Sequence, residues 1–87
     1  MISRATRSFW QAHEELNAVQ KRAARRAFAL FLENPGHNSL QFKKLHGYSD
    51  YWSVRVSRDI RVVGKRRGDT VEWAWIGTHN EFDKLFG

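Results

Sequence analysis

Two arginines and one histidine are the residues with the clearest chemical potential in this chain. Arg55 and Arg61 flank the short segment 57–59, and His79 follows the last run of alternating apolar residues. A three-residue turn at 57–59 would place the two guanidinium groups opposite each other on neighbouring strands, where like charges destabilise the pair. An anion between them would remove that repulsion. The pair therefore indicates an anion site, suited to an acidic side chain or to a nucleic-acid phosphate.

The histidine should lie at the start of a helix. Thr78 and Glu81 have the spacing of a capping box, which predicts that the helix begins at His79. The partial positive charge of a helix start favours the neutral imidazole, the form that can act as a general base. Free backbone N–H groups at the same place would add to an anion site. With Arg55 and Arg61 stabilising charge that develops on a phosphate, these residues form a candidate catalytic set.

Each member of this set also has a structural explanation. Arg55 could pair with Asp59 or Glu72. Arg61 could pair with Asp83, and the histidine could be a helix-start residue whose ring is satisfied. Taken singly, the structural explanation is the simpler one in each case. The joint placement of the three residues on one sheet face favours the functional explanation.

No metal or cofactor site is predicted from the residue types. The four histidines share no ligand-like spacing, and the carboxylates do not cluster with them. The chain has no cysteine, no glycine loop of the phosphate-binding kind and no serine motif of the hydrolase kind. Phosphate transfer by the arginines and the histidine would need no metal. We therefore expect no cofactor.

Size and composition predict one small soluble domain spanning residues 1–87. Hydrophobic residues make up 41% of the chain, enough for a core at this length. The N-terminal segment lacks the apolar run of a signal peptide and no stretch approaches membrane-spanning length, so we expect a cytoplasmic location. The net charge of +6 suits a polyanionic partner such as nucleic acid, or an acidic protein segment.

The hydrophobic period predicts the elements that must position these residues. Apolar residues at helical spacing predict helices over residues 8–16 and 18–32, and Pro35 and Gly36 end the second. Beyond that loop the period changes to two. The predicted strands are residues 42–45, 52–57, 60–65 and 71–76. We expect an α+β fold, in which an N-terminal helical hairpin packs on an antiparallel sheet of three or four strands and a short C-terminal helix follows.

Turn chemistry predicts the register of the sheet. The three-residue turn pairs Arg55 with Arg61, since a two-residue turn would mix the apolar and polar faces. The two-residue turn Gly68-Asp69 then pairs Gly64 with Trp73. In this register the face towards the helices holds Trp52, Val54, Val56, Ile60, Val62, Val71, Trp73 and Trp75. The other face holds Ser53, Arg55, Arg61, Val63, Lys65, Glu72, Ala74 and Ile76, with Arg61 opposite Ile76.

Two further features have two explanations each. Cations cluster on one face of the second predicted helix, at Lys21, Arg22, Arg25 and Arg26. A solvated helix face is the simpler explanation of that cluster, and a binding surface is the alternative. Tyr51 flanks the sheet, where its ring could stack on a nucleic-acid base or pack against its neighbours.

Four short stretches, taken in order, resemble the RelE/ParE superfamily of bacterial toxins from toxin–antitoxin pairs. They are Phe-Lys-Lys-Leu at 42–45, Trp-Ser-Val-Arg-Val at 52–56, Ile-Arg-Val-Val at 60–63 and Trp-Ile-Gly-Thr-His at 75–79. The order of helical hairpin, strands and terminal helix agrees as well. The resemblance covers most of the chain and implies a toxin that a partner antitoxin neutralises.

The resemblance also implies a mechanism, that of the ribonuclease branch of the superfamily. Messenger RNA would be cleaved on the ribosome without a metal, by attack of the 2′-hydroxyl on the adjacent phosphate. Arg55 and Arg61 would bind the scissile phosphate, and His79 would act in proton transfer. Lys43 or Lys44 would hold backbone phosphates.

Departures from the superfamily pattern leave other functions open. Several ribonuclease members have a tyrosine near the C-terminus, where this chain has Phe82, a side chain that cannot transfer a proton. Ser53 stands where some members have a second lysine. Another branch of the superfamily poisons DNA gyrase and lacks a ribonuclease site. The alternatives are therefore a gyrase-directed toxin and a non-catalytic relative that only binds an antitoxin.

Overall fold

A short strand, two helices, four further strands and a last helix follow one another along the chain. The computed structural model describes residues 1–87. The elements are β1 (Ile2–Ala5), α1 (Arg7–Glu14), α2 (Ala18–Glu33), β2 (Lys43–Lys44), β3 (Tyr51–Arg55), β4 (Ile60–Arg67), β5 (Thr70–Thr78) and α3 (His79–Phe86), with a 3₁₀ turn at Asn38–Leu40. None of the helices is both long and apolar enough to cross a membrane. The α+β class predicted from the sequence is confirmed.

Both N-terminal helices begin at side chains that accept hydrogen bonds from their first turns. Thr6 Oγ1 accepts from the Phe9 N–H at 3.2 Å, which starts α1. A reciprocal capping box of Asn17 and Gln20 starts α2. The two predicted helices are therefore present, with ends that differ from the prediction by one or two residues.

The sheet has five strands in the order β1-β5-β4-β3-β2, one more than the largest number expected. The extra strand is β1, which runs parallel to β5 with Ile2 opposite Thr70 and Ala5 opposite Trp73. The expectation of a purely antiparallel sheet is therefore wrong. Because three of the four β1 residues are exposed, the segment carries no apolar alternation by which a strand could be recognised.

The core lies between the two N-terminal helices and one face of the sheet. Its buried residues are Leu16, Ala27, Phe31, Leu40, Val54, Ile60, Val62, Val71, Trp73 and Ile76. Phe31 is 2% exposed and meets the rings of Phe42 and Trp73 edge-on, with centroids 5.0 and 5.3 Å away. Edge-to-face packing stabilises a core beyond the area that it buries. Phe31 therefore anchors α2 on the sheet.

The predicted register is confirmed for the first hairpin and for the outer part of the second. Arg55 lies opposite Arg61 on β3 and β4. Gly64 lies opposite Trp73 on β4 and β5, as the two-residue turn predicted. Position 64 requires glycine, since a Cβ there would lie 2.6 Å from the Trp73 ring. The close approach of that ring marks the point where β4 and β5 stop pairing regularly.

A β-bulge beyond Gly64 makes the inner part of the predicted register wrong. Val63 pairs with Trp75, and Ala74 is left without a partner. The extra residue reverses which side chains face the helices. Ile76 enters the core at 2% exposed, and Trp75 turns to the opposite face of the sheet. Alternation cannot reveal a single unpaired residue, so the prediction that Trp75 belongs to the helix-facing core is incorrect.

The helix α3 packs on the face of the sheet that Trp75 occupies. The Trp75 ring lies 5.5 Å from the Phe86 ring and 6.4 Å from the Phe82 ring. Gly77, which lies opposite Arg61 on β4, leaves room for the indole, since a Cβ there would lie 2.4 Å from it. The bulge therefore decides where α3 sits relative to the arginines.

Candidate functional site

One face of the sheet points away from α1 and α2, and we call it the site face. Its members follow from the alternation of side chains along each strand and from cross-strand pairing. On β2, β3 and β4 they are Lys43, Tyr51, Ser53, Arg55, Arg61, Val63 and Lys65. Both candidate arginines, the candidate tyrosine and one of the two candidate lysines therefore share this face.

The two candidate lysines lie on opposite faces of the edge strand β2. Lys43 pairs with Ser53 and shares the site face, whereas Lys44 pairs with Trp52 and lies on the face of the helices. Because Ser53 is two residues from Arg55, Lys43 lies about 7 Å from Arg55 along the strand direction. Ser53 is uncharged and only 4% exposed, so that position adds no cation. A ligand bound to the arginines can reach Lys43 but not Lys44.

The Arg61 side chain is held over the turn between β3 and β4. Its Nη1 donates hydrogen bonds to the carbonyl oxygens of Ser57 at 2.7 Å, Ile60 at 3.1 Å and Arg58 at 3.3 Å. Its Nε and Nη2 make no hydrogen bond to the protein. One part of the guanidinium is therefore fixed by the backbone, and the other part is free to donate to a ligand.

Neither arginine is neutralised by a carboxylate. The pairs with Asp59, Glu72 and Asp83 that the sequence allowed do not form, since no carboxylate oxygen lies within 4.0 Å of either guanidinium. Partial burial, and next the charge of Arg55, lower the pKa of Arg61, while the more distant Asp83 and Asp59 act in the opposite direction. An arginine stays cationic in spite of such a shift. Two unpaired positive charges therefore face each other at this end of the sheet.

His79 has a partner that the sequence argument did not include. Its Nε2 lies 3.1 Å from Oδ2 of Asp83, one turn further along α3. The spacing of four residues on a helix was the available signal for this pair. A carboxylate at hydrogen-bond distance fixes the orientation of the ring and leaves Nδ1 as the nitrogen that can exchange a proton.

The start of α3 is less open to an anion than expected. The Thr78 and Glu81 capping box forms as predicted, with Thr78 Oγ1 accepting from the Glu81 N–H at 3.2 Å. The His79 N–H donates to the carbonyl oxygen of Asp59 at 2.6 Å. Because these two N–H groups are occupied, the expected row of free donors is interrupted. The bond from His79 to Asp59 instead ties α3 to the turn that holds the Arg61 side chain.

Tyr51 belongs to a row of aromatic rings that crosses the site face. Its ring meets Tyr48 edge-on at 6.3 Å, and Tyr48 meets Phe86 of α3 at 6.0 Å. Phe82 lies 6.4 Å from His79, on the same side of α3. The packing explanation considered for Tyr51 is therefore observed, and stacking on a base stays a prediction. An apolar ring therefore stands beside His79.

The structure thus brings Arg55, Arg61 and His79 to one end of the site face, with Lys43 and Tyr51 further along it. Asp83 joins this end through His79. No three His, Asp or Glu side chains come close enough together to bind a metal ion. The arrangement offers two cations for an anion and one imidazole with an orienting carboxylate.

Comparison with known proteins identifies the class to which this fold and site belong. Residues 17–84 match the family model of the ParE-like toxin domain. This span is most of the chain, and the chain belongs to that family. The resemblance to the RelE/ParE superfamily, first seen in four short stretches of sequence, is confirmed. No curated protein matches the sequence.

Solved structures of three toxins share the fold at low sequence identity. A chain of the RelB–RelE antitoxin–toxin complex from Methanococcus jannaschii is 15% identical, with a TM-score of 0.76 over 97% of this chain and 99% of that one. The YoeB/ParE toxin from Agrobacterium tumefaciens is 21% identical, with a TM-score of 0.68 over 91% and 99%. YafQ from Escherichia coli is 18% identical, with a TM-score of 0.69 over 98% and 97%. This likeness concerns the fold.

Proposed function

We propose that this toxin domain is a metal-independent endoribonuclease that cleaves messenger RNA on the ribosome. The observation that carries the proposal is the opposed pair Arg55 and Arg61, two cations without a carboxylate partner beside an accessible imidazole. Opposed like charges destabilise a strand pair, and an anion relieves the cost. A phosphodiester is the anion that two guanidinium groups and an imidazole could both bind and cleave.

The proposed reaction is an internal transfer of the phosphoryl group. The RNA 2′-hydroxyl attacks the adjacent phosphorus, the bond to the 5′-oxygen breaks, and a 2′,3′-cyclic phosphate forms together with a new 5′-hydroxyl end. Arg55 and the free edge of Arg61 stabilise the charge that builds up on the phosphoryl oxygens. His79 accepts the proton of the attacking 2′-hydroxyl through Nδ1, because Nε2 faces Asp83, and the departing 5′-oxygen takes a proton from solvent. Asp83 acts as a positioning residue for that ring.

The course of the RNA would follow the site face away from the arginines. Lys43 lies on this face and is exposed, so it can hold a backbone phosphate next to the scissile one. Tyr51 lies on β3, the strand of Arg55, and presents a half-buried ring on which a base can stack. Lys44 has no part in this path.

The proposal includes a partner antitoxin. Three of the structurally similar proteins were solved as complexes with an antitoxin: RelE with RelB from Methanococcus jannaschii and from Escherichia coli, and YafQ with DinJ. The net charge of +6 on this chain suits an acidic partner segment.

Expression in a bacterial host, followed by mapping of transcript ends, tests the nuclease proposal. We expect growth arrest with loss of translation, and new 5′-ends inside translated reading frames. Arg61→Ala and His79→Ala should relieve the arrest, and His37→Ala, which changes an exposed loop histidine, should not. Circular dichroism checks that each variant is folded. Full toxicity of both site variants would show that this site is not the active one.

The gyrase-directed alternative has one observation in its favour. Phe82 places an apolar ring where a ribonuclease of this superfamily would use a second proton-transferring side chain. A toxin of this kind would induce DNA-damage signalling and filamentation with transcripts intact. A folded chain that causes neither response would be a relative that only binds an antitoxin.

A further inference from the structure

The loop between β2 and β3 carries an exposed tyrosine at the edge of the site face. Tyr48 is 38% exposed. Its ring lies 6.3 Å from the ring of Tyr51, which belongs to the site face, and 6.0 Å from the ring of Phe86 on α3. Because α3 packs on the site face through Trp75, these rings lie on the side of the sheet that carries the arginines.

The backbone holds this loop in place at both ends. The Leu45 N–H donates to the carbonyl oxygen of Tyr51 at 2.8 Å, which closes the loop. Asp50 has a φ of 65°, in the left-handed region that residues other than glycine seldom adopt. Its carbonyl oxygen accepts a hydrogen bond from the Arg66 N–H at 2.8 Å. Tyr48 is therefore presented by an anchored turn rather than by a free segment.

Tyr48 and Tyr51 form an aromatic corner. The planes of the two rings are 85° apart. A flat nucleic-acid base can therefore stack on one ring while its edge meets the other. Packing within the protein explains the half-buried ring of Tyr51, but it does not require an aromatic side chain at position 48, where more than a third of the residue faces water.

The aromatic corner lies in line with the cations of the site face. Lys43 is exposed, makes no salt bridge and pairs with Ser53, which is two residues from Tyr51 and two from Arg55. Two residues of a strand span about 7 Å, so the corner, Lys43 and the arginine pair follow one another at similar intervals. Cations that alternate with aromatic rings are the arrangement that binds single-stranded nucleic acid. An acidic peptide would pair with the cations but would bring no base to the rings.

We propose that Tyr48 is a base-binding residue, on which an unpaired RNA base stacks while phosphates of the same strand lie at Lys43 and at the arginine pair. The proposal rests on the nuclease function proposed above and adds a residue that binds RNA away from the cleaved bond. Every base has a π-face, so the corner binds RNA without reading its sequence. Tyr48 takes no part in proton transfer, because Tyr51 beside it is four residues, about 13 Å, from Arg55.

An RNA strand that cannot be cleaved tests the proposal with the full chain. The strand is an oligouridine of about ten nucleotides, a length that one small domain can cover, with fluorine in place of every 2′-hydroxyl. Without the attacking hydroxyl it stays intact under the proposed chemistry. One position carries 2-aminopurine, a fluorescent base whose emission is quenched when it stacks. We expect the protein to bind this strand and to quench the emission.

Matched variants decide whether the quenching ring is Tyr48. Tyr48→Leu should weaken binding about tenfold and remove the quenching, whereas Tyr48→Phe should retain both, since stacking needs the ring and not the hydroxyl. Trp10→Leu removes an exposed ring of α1 on the opposite side of the sheet and should change neither quantity by more than about twofold. Circular dichroism and thermal melting verify that each variant is folded.

The salt dependence of binding separates stacking from charge. Tyr48→Leu should weaken the strand equally at all salt concentrations, because it removes no phosphate contact. Lys43→Glu should instead lower the slope of log affinity against log salt concentration.

Three outcomes would overturn the proposal. They are an original protein that binds the strand without quenching, a Tyr48→Leu variant that binds and quenches like the original, and a loss that Tyr48→Phe shares. Failure of the nuclease proposal would appear elsewhere, in full toxicity of Arg61→Ala. A base-binding Tyr48 in a chain that does not cleave RNA, and a cleaving chain without a base on Tyr48, are therefore distinguishable.

Discussion

At the scale of single residues, the candidate site contains two like charges that the fold holds opposite each other. Arg55 and Arg61 face each other across β3 and β4 without a carboxylate between them. Arg61 is held in place by three backbone carbonyl groups of the adjoining turn. These carbonyl dipoles orient the cation but do not neutralise it. The pair is therefore ready for an anion before one arrives.

The repulsion between Arg55 and Arg61 predicts that a substitution of Arg55 changes activity and stability in opposite directions. Arg55→Gln removes the like-charge pair and should raise the free energy of unfolding by about 0.2–1 kcal/mol. It should also lower RNA cleavage, since one of the two phosphate ligands is lost. Urea denaturation and a translation-coupled cleavage assay measure the two effects. Arg58→Gln, in the turn beside the pair, is the control for loss of one charge. A less stable Arg55→Gln would mean that Arg55 has a structural role.

A second residue-scale effect lies at Gly77. An alanine there would place its Cβ 2.4 Å from the Trp75 ring, so the ring and the α3 residues packed on it would have to move. We expect Gly77→Ala to lower the free energy of unfolding by about 1–3 kcal/mol. Gly36→Ala is the control, because its Cβ would have only an ordinary contact at 3.6 Å. Equal unfolding midpoints for the two variants would contradict this account.

At the scale of elements, α3 depends on its capping box and on the turn below it. The Glu81 carboxylate accepts hydrogen bonds from the N–H and the hydroxyl of Thr78. The His79 N–H is bound to the Asp59 carbonyl group. These bonds connect the β3–β4 turn, to which the Arg61 side chain is hydrogen-bonded, to the helix that carries His79. The geometry of the site is therefore a property of two elements held together at one point.

The capping box makes the anchoring of α3 dependent on pH. The hydrogen bond from the Thr78 N–H, and next that from its hydroxyl, lower the pKa of Glu81. The stabilisation is present above the ordinary pKa of a glutamate and is lost as the pH falls through the lowered value. Glu81→Gln should therefore lower the Tm at neutral pH, with the difference from the original protein shrinking in acid. Glu33→Gln, which removes the same charge at an exposed position at the end of α2, is the control.

At the scale of the whole molecule, both faces of the sheet carry cations, in different surroundings. The net charge of +6 attracts any polyanion, so binding of RNA alone does not locate a site. The site face carries Lys43, Arg55 and Arg61, and the opposite face carries Arg4, Lys21 and Arg25 around an apolar groove.

Two neighbouring lysines distinguish surface position from total charge. Lys43→Glu and Lys44→Glu each lower the net charge by two units, and both change exposed residues of β2. If only total charge mattered, both would weaken RNA binding equally. We expect Lys43→Glu to weaken RNA binding by about 1 kcal/mol more than Lys44→Glu does, because Lys43 alone lies on the site face. Lys43→Glu should also lower the slope of log affinity against log salt concentration by about one. Measurements of affinity over a series of salt concentrations decide between the two accounts.

The helices and strands that depend on short-range sequence patterns were predicted from the sequence alone. Helical spacing predicted α1 and α2, alternation predicted β3 to β5, and Thr78 with Glu81 predicted the start of α3. The turn between β3 and β4 was enough to place Arg55 opposite Arg61. These features depend on residues close together in the chain, so pattern and turn chemistry specify them.

The way in which these helices and strands pack together depends on tertiary contacts that the sequence patterns do not show. Because Ala74 is unpaired, Ile76 lies in the core and Trp75 lies on the site face. Trp75 packs there against α3, beside the arginines. The pairing of β1 with β5 and the gap beside α2 likewise depend on contacts between distant parts of the chain. Such contacts leave no period in the sequence, because they follow from how packed surfaces fit together and not from neighbouring residues. The candidate catalytic residues and the sheet face that they share were thus predicted from the sequence, whereas the packing of α3 beside them and the groove behind the sheet were not.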